Sequence, residues 1–189
     1  MIRNDGPFWD LVEREHKRAR AYCLRLTLNP EEGDDLYMDS IMKAHRGFAQ
    51  IKDIERFRPW LYQIINNNYI GRSRDSWWRR VFAGPIEGET FEPGSDPSGE
   101  YEAKRRLEFA FTALSADDRI IVTLAELDGW KISEIAQLTS KSEGTIKMRL
   151  SRARDKMRRR LSSVYRKSTA GNTDEGTEDL CYVIKPEQD

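Results

Sequence analysis

The sequence predicts an all-α protein of two small helical domains joined by a flexible linker. Three observations carry that expectation. Apolar residues recur at helical spacing in both halves, and no alternating strand pattern of any length appears. A segment rich in Pro, Gly and acids, residues 83–100, separates the halves. The net charge is zero, yet the charges fall in blocks: residues 1–80 hold 15 Lys+Arg against 12 Asp+Glu, and 81–103 hold none against 6. Residues 104–167 then hold 16 against 8, and 168–189 hold 1 against 6.

The blocks matter more than the total. A neutral chain would dismiss nucleic acid as a partner, but two basic blocks alternating with acidic segments do not. Charged residues make up 34% of the chain, which suits exposed amphipathic helices better than a thick β-sandwich. No apolar run approaches the roughly 20 residues of a membrane span, and Met1 to Asp10 lacks the basic and apolar stretches of a signal peptide. A cytoplasmic protein is expected. Cys23 and Cys181 have no CxxC or Cys/His spacing, so neither a disulfide framework nor a zinc site is indicated.

In the first domain, residues 1–82, Phe8, Trp9, Leu11, Val12, Ala19, Tyr22 and Leu26 mark the first helix. Asn29-Pro30-Glu31-Glu32 starts the second: an Asn cap, Pro at the first helical position, then acids facing the positive dipole end. That helix runs through Leu36, Ile41 and Met42 to about Gly47. After a loop from Phe48 to Glu55, a third helix carries Phe57, Trp60, Leu61, Ile64, Ile65 and Ile70.

The second domain, residues 101–167, opens with a helix marked by Leu107, Phe111 and Leu114. Ser115-Ala116-Asp117-Asp118 forms a capping-box pattern before a helix through Ile120, Ile121, Leu124 and Leu127, which stops at Asp128-Gly129. Ile132, Ile135, Ala136 and Leu138 form a short helix, Thr139-Ser140-Lys141 turns the chain, and Ser142 caps a last helix to about Val164. Two helices about a tight turn, the second rich in Arg, read as a helix-turn-helix. Residues 168–189 read as an acidic, flexible tail.

The strongest functional signal is the stretch from Ser142 to Arg154. Ser142 and the first-turn amides lie at a helix N-terminus, which suits a phosphate. Gly144 and Thr145 keep that end slim enough to approach a groove, while Ile146, Leu150 and Ala153 bind the helix to its domain. Lys147, Arg149, Arg152 and Arg154 are left to point outward, where Arg bridges guanine edges and either cation neutralises phosphate. A solvated basic helix is the plain alternative. His16 and His45 are isolated, and no nucleophile–base pair or Gly-rich phosphate loop stands out. A non-enzyme without cofactor or metal is expected.

These stretches resemble a family. Ala113-Leu114-Ser115 through Arg119, Gly129, Glu134-Ile135-Ala136, and Gly144-Thr145-Ile146-Lys147 with Arg149-Leu150 and Arg152-Ala153-Arg154 resemble region 4 of extracytoplasmic-function (ECF) sigma factors. Asp34-Asp35-Leu36-Tyr37-Met38-Asp39-Ser40-Ile41 is similar to that family's acidic region 2.2, and Phe57 to Asn67 with Arg72 and Arg74 to regions 2.3 and 2.4. The resemblance implies a region 2 helical bundle and a region 4 helix-turn-helix on a chain that directs RNA polymerase to promoters. Asp34, Asp35, Leu36, Met38 and Asp39 would then dock on the clamp helices of the largest subunit of core RNA polymerase. Region 4 would approach the flap and bind the −35 element through Ser142, Thr145, Lys147, Arg149, Arg152 and Arg154. Asn67, Tyr69, Arg72 and Arg74 would meet promoter DNA at the −10 element. An anti-sigma factor is a further partner common in the family.

The chain departs from the pattern in places. Lys131 stands where a capping Ser is usual, at an expected cost of about 1 kcal/mol, Ser140 replaces a turn Gly, and Lys141 replaces an apolar residue. Met38, Asp39 and Gly71 replace the usual Gln, Glu, and Asp or Asn. Region 4 alone would also fit a helix-turn-helix regulator that binds duplex DNA without joining a polymerase. The first domain distinguishes the two readings.

Overall fold

A computed structural model describes residues 6–51, 53–83 and 99–169, with side chains described up to 74 and from 105 to 163. Seven α-helices are seen among them: α1 (Gly6–Thr27), α2 (Pro30–Gly47), α3 (Phe57–Ala83), α4 (Gly99–Phe111), α5 (Ala116–Val122), α6 (Ile132–Thr139) and α7 (Glu143–Thr169). The linker expected at 83–100 lies almost wholly outside the described residues, as do the tail from 170 and the Trp77-Trp78-Arg79-Arg80 side chains.

In the first domain α2 lies between α1 and α3. Asn29 caps α2 as its sequence requires: its side-chain oxygen accepts from the amides of Glu31 at 2.9 Å and Glu32 at 3.1 Å. Gly33 lets α1 and α2 approach, since a Cβ there would stand 2.9 Å from the Leu24 Cα and 2.7 Å from its Cδ2. The core joins Phe8, Tyr22 and Leu26 of α1 to Leu36 and Ile41 of α2 and to Phe57, Leu61, Tyr62 and Ile65 of α3. The Tyr22 hydroxyl donates to Asn66 Oδ1 at 2.6 Å, giving both buried polar groups a partner. Burial pushes the Cys23 thiol up to about 12, so this cysteine is an inert core residue.

The second domain packs α4, α5 and α6 against α7. Ser115 caps α5 by accepting from the Asp118 amide at 3.2 Å. The Asp118 carboxylate turns to α7, where Lys156 reaches it at 2.7 Å. Past Val122 the chain widens into one π turn, Thr123–Leu127, before Gly129 reverses it at φ +67°. Lys131 retains half a cap, because its amide donates to Glu134 Oε2 at 2.8 Å. Ser140 takes the left-handed conformation that a Gly usually fills in this turn, with φ 54° and ψ 41°. The helix-turn-helix therefore closes with a strained turn residue, and Ser142 caps α7 through the Thr145 amide at 3.2 Å.

The two domains touch. Arg25 of α1 pairs with Asp128, and Arg119 Nη1 donates to the Leu26 carbonyl at 2.9 Å. Arg58 lies 4.8 Å over the Trp130 ring, whose centroid is 5.0 Å from that of Tyr62. A cleft of about 1450 Å³ opens beside this junction, lined by Lys17, Arg18, Arg58, Trp60 and Lys131 among others.

Candidate nucleic-acid and partner interfaces

The geometry of α7 follows from its seam. Ile146, Leu150 and Ala153 are fully or nearly fully buried. At about 100° per residue, the opposite side carries Gly144, Met148, Ser151 and Arg152, with Lys147 about a quarter turn from the seam, all exposed. Among the described residues neither Lys147 nor Arg152 forms an ion pair, so both cations are available to an anionic partner. Met148, 46% exposed, is the large apolar side chain of this face.

The basic residues on the flanks behave differently. Arg149 turns toward α5, where Nη1 lies 3.5 Å from Asp117 and 3.7 Å from Asp118, a placement that differs from the outward one expected. The cause is position: Arg149 precedes Leu150 and stands beside the buried seam rather than opposite it. Arg154, on the other flank, pairs with Glu126 at 2.5 Å. Ser142 is exposed, but its hydroxyl is committed to the Thr145 amide and lies 2.9 Å from the Thr145 hydroxyl.

On α3 the three consecutive asparagines divide. Asn66 is bound by Tyr22, and Asn68 accepts from Lys43 at 2.6 Å while donating to Ser40 at 3.2 Å. Only Asn67 points outward, in a solvent stripe with Gln63, Ile70 and Arg74 at helical spacing. Tyr69, expected as a DNA contact, lies inward in this structure. It is 7% exposed, and burial pushes its phenol up despite the nearby Arg119, so it is a core and domain-junction residue. Arg72 is held by α2: it pairs with Asp39 and donates to the Asp35 carbonyl at 3.2 Å. The structure thus joins a residue expected at DNA to one expected at the polymerase.

The acidic face of α2 is narrower than its sequence suggests. Asp34 forms a two-pronged pair with Arg20 at 2.6 and 2.8 Å, which holds its carboxyl below the usual range. Leu36, expected among the docking residues, is 0% exposed and belongs to the core. What faces solvent is Asp35, Met38, Asp39 and Met42, with Met38 57% exposed. Met42 completes this stripe one turn beyond Met38, and the i, i+4 repeat that places it there was present in the sequence. No described helix is long and apolar enough to cross a membrane, and the described residues hold no group of three metal-binding side chains.

Comparison with known proteins places both halves of the chain in one family. Sigma-70 region 2 matches residues 11–79 and sigma-70 region 4 matches residues 104–157. The chain is 28% identical over 162 residues to ECF RNA polymerase sigma factor SigM of Mycobacterium tuberculosis, covering 85% of this chain and 80% of that protein. It is 30% identical over 132 residues to SigL of the same organism, covering 68% and 74% respectively. The solved structure of the sigma factor RpoE in complex with the anti-sigma factor NepR from Bartonella quintana superposes with a TM-score of 0.61. That match has 25% identity over 83% of this chain and 97% of that one. With both regions present in order on the two domains described above, the chain belongs to the ECF RNA polymerase sigma factors and directs promoter recognition as a non-catalytic subunit.

Proposed function

We propose that the promoter-reading work of this sigma factor is divided between two outward faces. The face of α7 bearing Lys147 and Arg152 enters the major groove of the −35 element, with Ser142 and Thr145 at its leading end. The α3 stripe bearing Asn67 and Arg74 meets the −10 element. The α2 stripe of Asp35, Met38 and Asp39 docks on core RNA polymerase. Phosphate contacts hold position while a few side chains read bases. A −10 base extruded from the stack costs a few kcal/mol, which contacts along α3 offset. An anti-sigma partner belongs to the same reading, supported by the relative solved with one. With that partnership goes a cytoplasmic location beside the polymerase.

The observation that carries the reading is the division of α7: a three-residue apolar seam behind, and unpaired Lys147 and Arg152 in front. The test is selection of −35 sequences by the full chain with core polymerase. Arg152→Ala is expected to cost about 1–3 kcal/mol against the best site and to relax one position. Arg149→Ala should lower the melting temperature and leave the selected sequence unchanged, because its partners are Asp117 and Asp118. If Arg149→Ala relaxes the sequence and Arg152→Ala does not, the face has been assigned wrongly.

A further inference from the structure

Met148 is not part of the hydrophobic core or of the side chains packed against it. It lies about 200° around α7 from Ile146, at about 100° per residue, almost diametrically opposite the buried seam. Nearly half of its surface is open. Helical side chains lean toward the N-terminus, toward the residues three and four positions back, which for Met148 are Thr145 and Gly144. Gly144 has open space around its Cα, with only the Ser142 Oγ as near as 4.0 Å to an added Cβ. An apolar, unbranched, polarisable side chain therefore sits half exposed beside Lys147, Ser151 and Arg152, one turn into a helix whose first turn is slim.

An exposed Met in the middle of a cationic face is out of place for a solvated surface and apt for a mixed one. The major groove presents one apolar group, the C5-methyl of thymine, among its hydrogen-bonding edges. A thioether chain adapts to such a contact without a fixed shape. We propose that Met148 is a specificity-determining residue of this sigma factor, packing on a thymine methyl in the −35 element beside the bases or phosphates engaged by Lys147 and Arg152. This rests on the assignment of the α7 face to the −35 element. It moves part of the readout from the guanidinium of Arg149, which α5 holds, to an apolar contact.

The experiment replaces each thymine of the selected −35 duplex in turn by deoxyuridine, which removes the methyl and leaves every hydrogen-bonding group. Affinity is measured with the full chain bound to core polymerase. One methyl is worth about fourfold in affinity, the transfer energy of one buried carbon. The wild type should lose about that factor at one thymine, Met148→Ala should be indifferent at that position, and Met148→Leu should retain the sensitivity. Arg152→Ala should bind more weakly overall yet keep the methyl effect. Because Met148 is outside the core, the melting temperature of Met148→Ala should match the wild type, which separates readout from folding. If Met148→Ala remains as sensitive to the methyl as the wild type, or no thymine matters to the wild type, the proposal is overturned while the −35 reading stands. Failure of the wild type to enrich any −35 sequence would overturn that reading, and this proposal with it.

Discussion

α2 and α7 each present a charged outward face, and they differ in how much of each helix packing consumes. α2 is held from two sides by α1 and α3, burying Gly33, Leu36, Tyr37, Ser40, Ile41 and Ala44. A single stripe is left, and Arg72 reaches into it to take Asp39. The described part of α7 packs through one seam, and its charged flanks are tied down by Asp117, Asp118 and Glu126. Its apex stays open. On α7 the charge nearest the packed face is paired within the fold and the charge farther from it is unpaired, whereas on α2 the outward Asp39 is itself paired with Arg72. On α7, angular distance from the seam, rather than charge, separates the two classes.

The largest effect should come from the residue where that rule and the family motif disagree. Leu36→Ala should destabilise the protein by about 2–5 kcal/mol through the cavity it leaves. Met38→Ala should change stability by less than about 0.5 kcal/mol and weaken capture of core polymerase. Urea unfolding and a quantitative pull-down on the same two variants measure both quantities. The comparison breaks if Leu36→Ala unfolds like the wild type.

A smaller, opposite-signed pair sits at Asp118 and Asp128. Burial pushes the Asp118 carboxyl up, but Lys156, Ser115 and Arg149 together outweigh it and leave the group below its ordinary range. Its contribution to stability is present above the unfolded value of about 3.9 and is lost as pH falls through the depressed folded value. Burial also pushes Asp128 up, and there Arg25 and Arg58 offset it only in part. Its folded form takes up a proton first, so acidification through the raised folded value favours the folded state. Asp118→Asn should cost about 1–2 kcal/mol at neutral pH, the scale of one charge-assisted hydrogen bond, and flatten the fall in stability below pH 4. Asp128→Asn should remove the gain on mild acidification and leave the acid-side fall. Urea midpoints between pH 7 and 3 follow both, and identical pH slopes in the two variants would contradict these signs.

How much of this was legible in the sequence follows the same geometry. The helices, the Asn29, Ser115 and Ser142 caps and the Gly129 stop are local, and a residue and its near neighbours determine them. The seam of α7 was legible because one face packs and its spacing is regular. Arg149 stands on a flank of the helical wheel, so lying off the seam does not by itself turn a cation outward. The burial of Tyr69 and Leu36 is not legible because α3 and α2 bury more than one side, which no single periodicity displays. The domain junction left no signal: Arg25, Arg58, Tyr62, Arg119, Asp128 and Trp130 come from separate elements, and the Pro/Gly-rich stretch between the halves pointed to independence. The π turn at Thr123–Leu127 also has no local mark beyond ordinary helix formers.

The smallest effect is expected at Gly71, and there it sharpens the comparison. Gly71 lies inside α3, on the outward side between Asn67 and Arg74, and a Cβ added there would meet nothing within 4 Å. Glycine in a helix interior costs about 0.5–1 kcal/mol relative to alanine, largely through the freedom of the unfolded backbone. Gly71→Ala should therefore raise the melting temperature by about 1–4 °C for a chain of this size. Because α7 supplies the −35 contacts in the proposed division of labour, duplex binding there should not change. The remaining question is whether the bare backbone is tolerated looseness or a surface that DNA approaches. Permanganate footprinting of the −10 region with the variant and core polymerase answers it. Retained opening at a raised melting temperature is the expected result, since nothing in the structure crowds the position. Lost opening at the same raised temperature would mean that the strand passes against Gly71 itself, making the outward face of α3 a backbone-approach surface where that of α7 is a side-chain one.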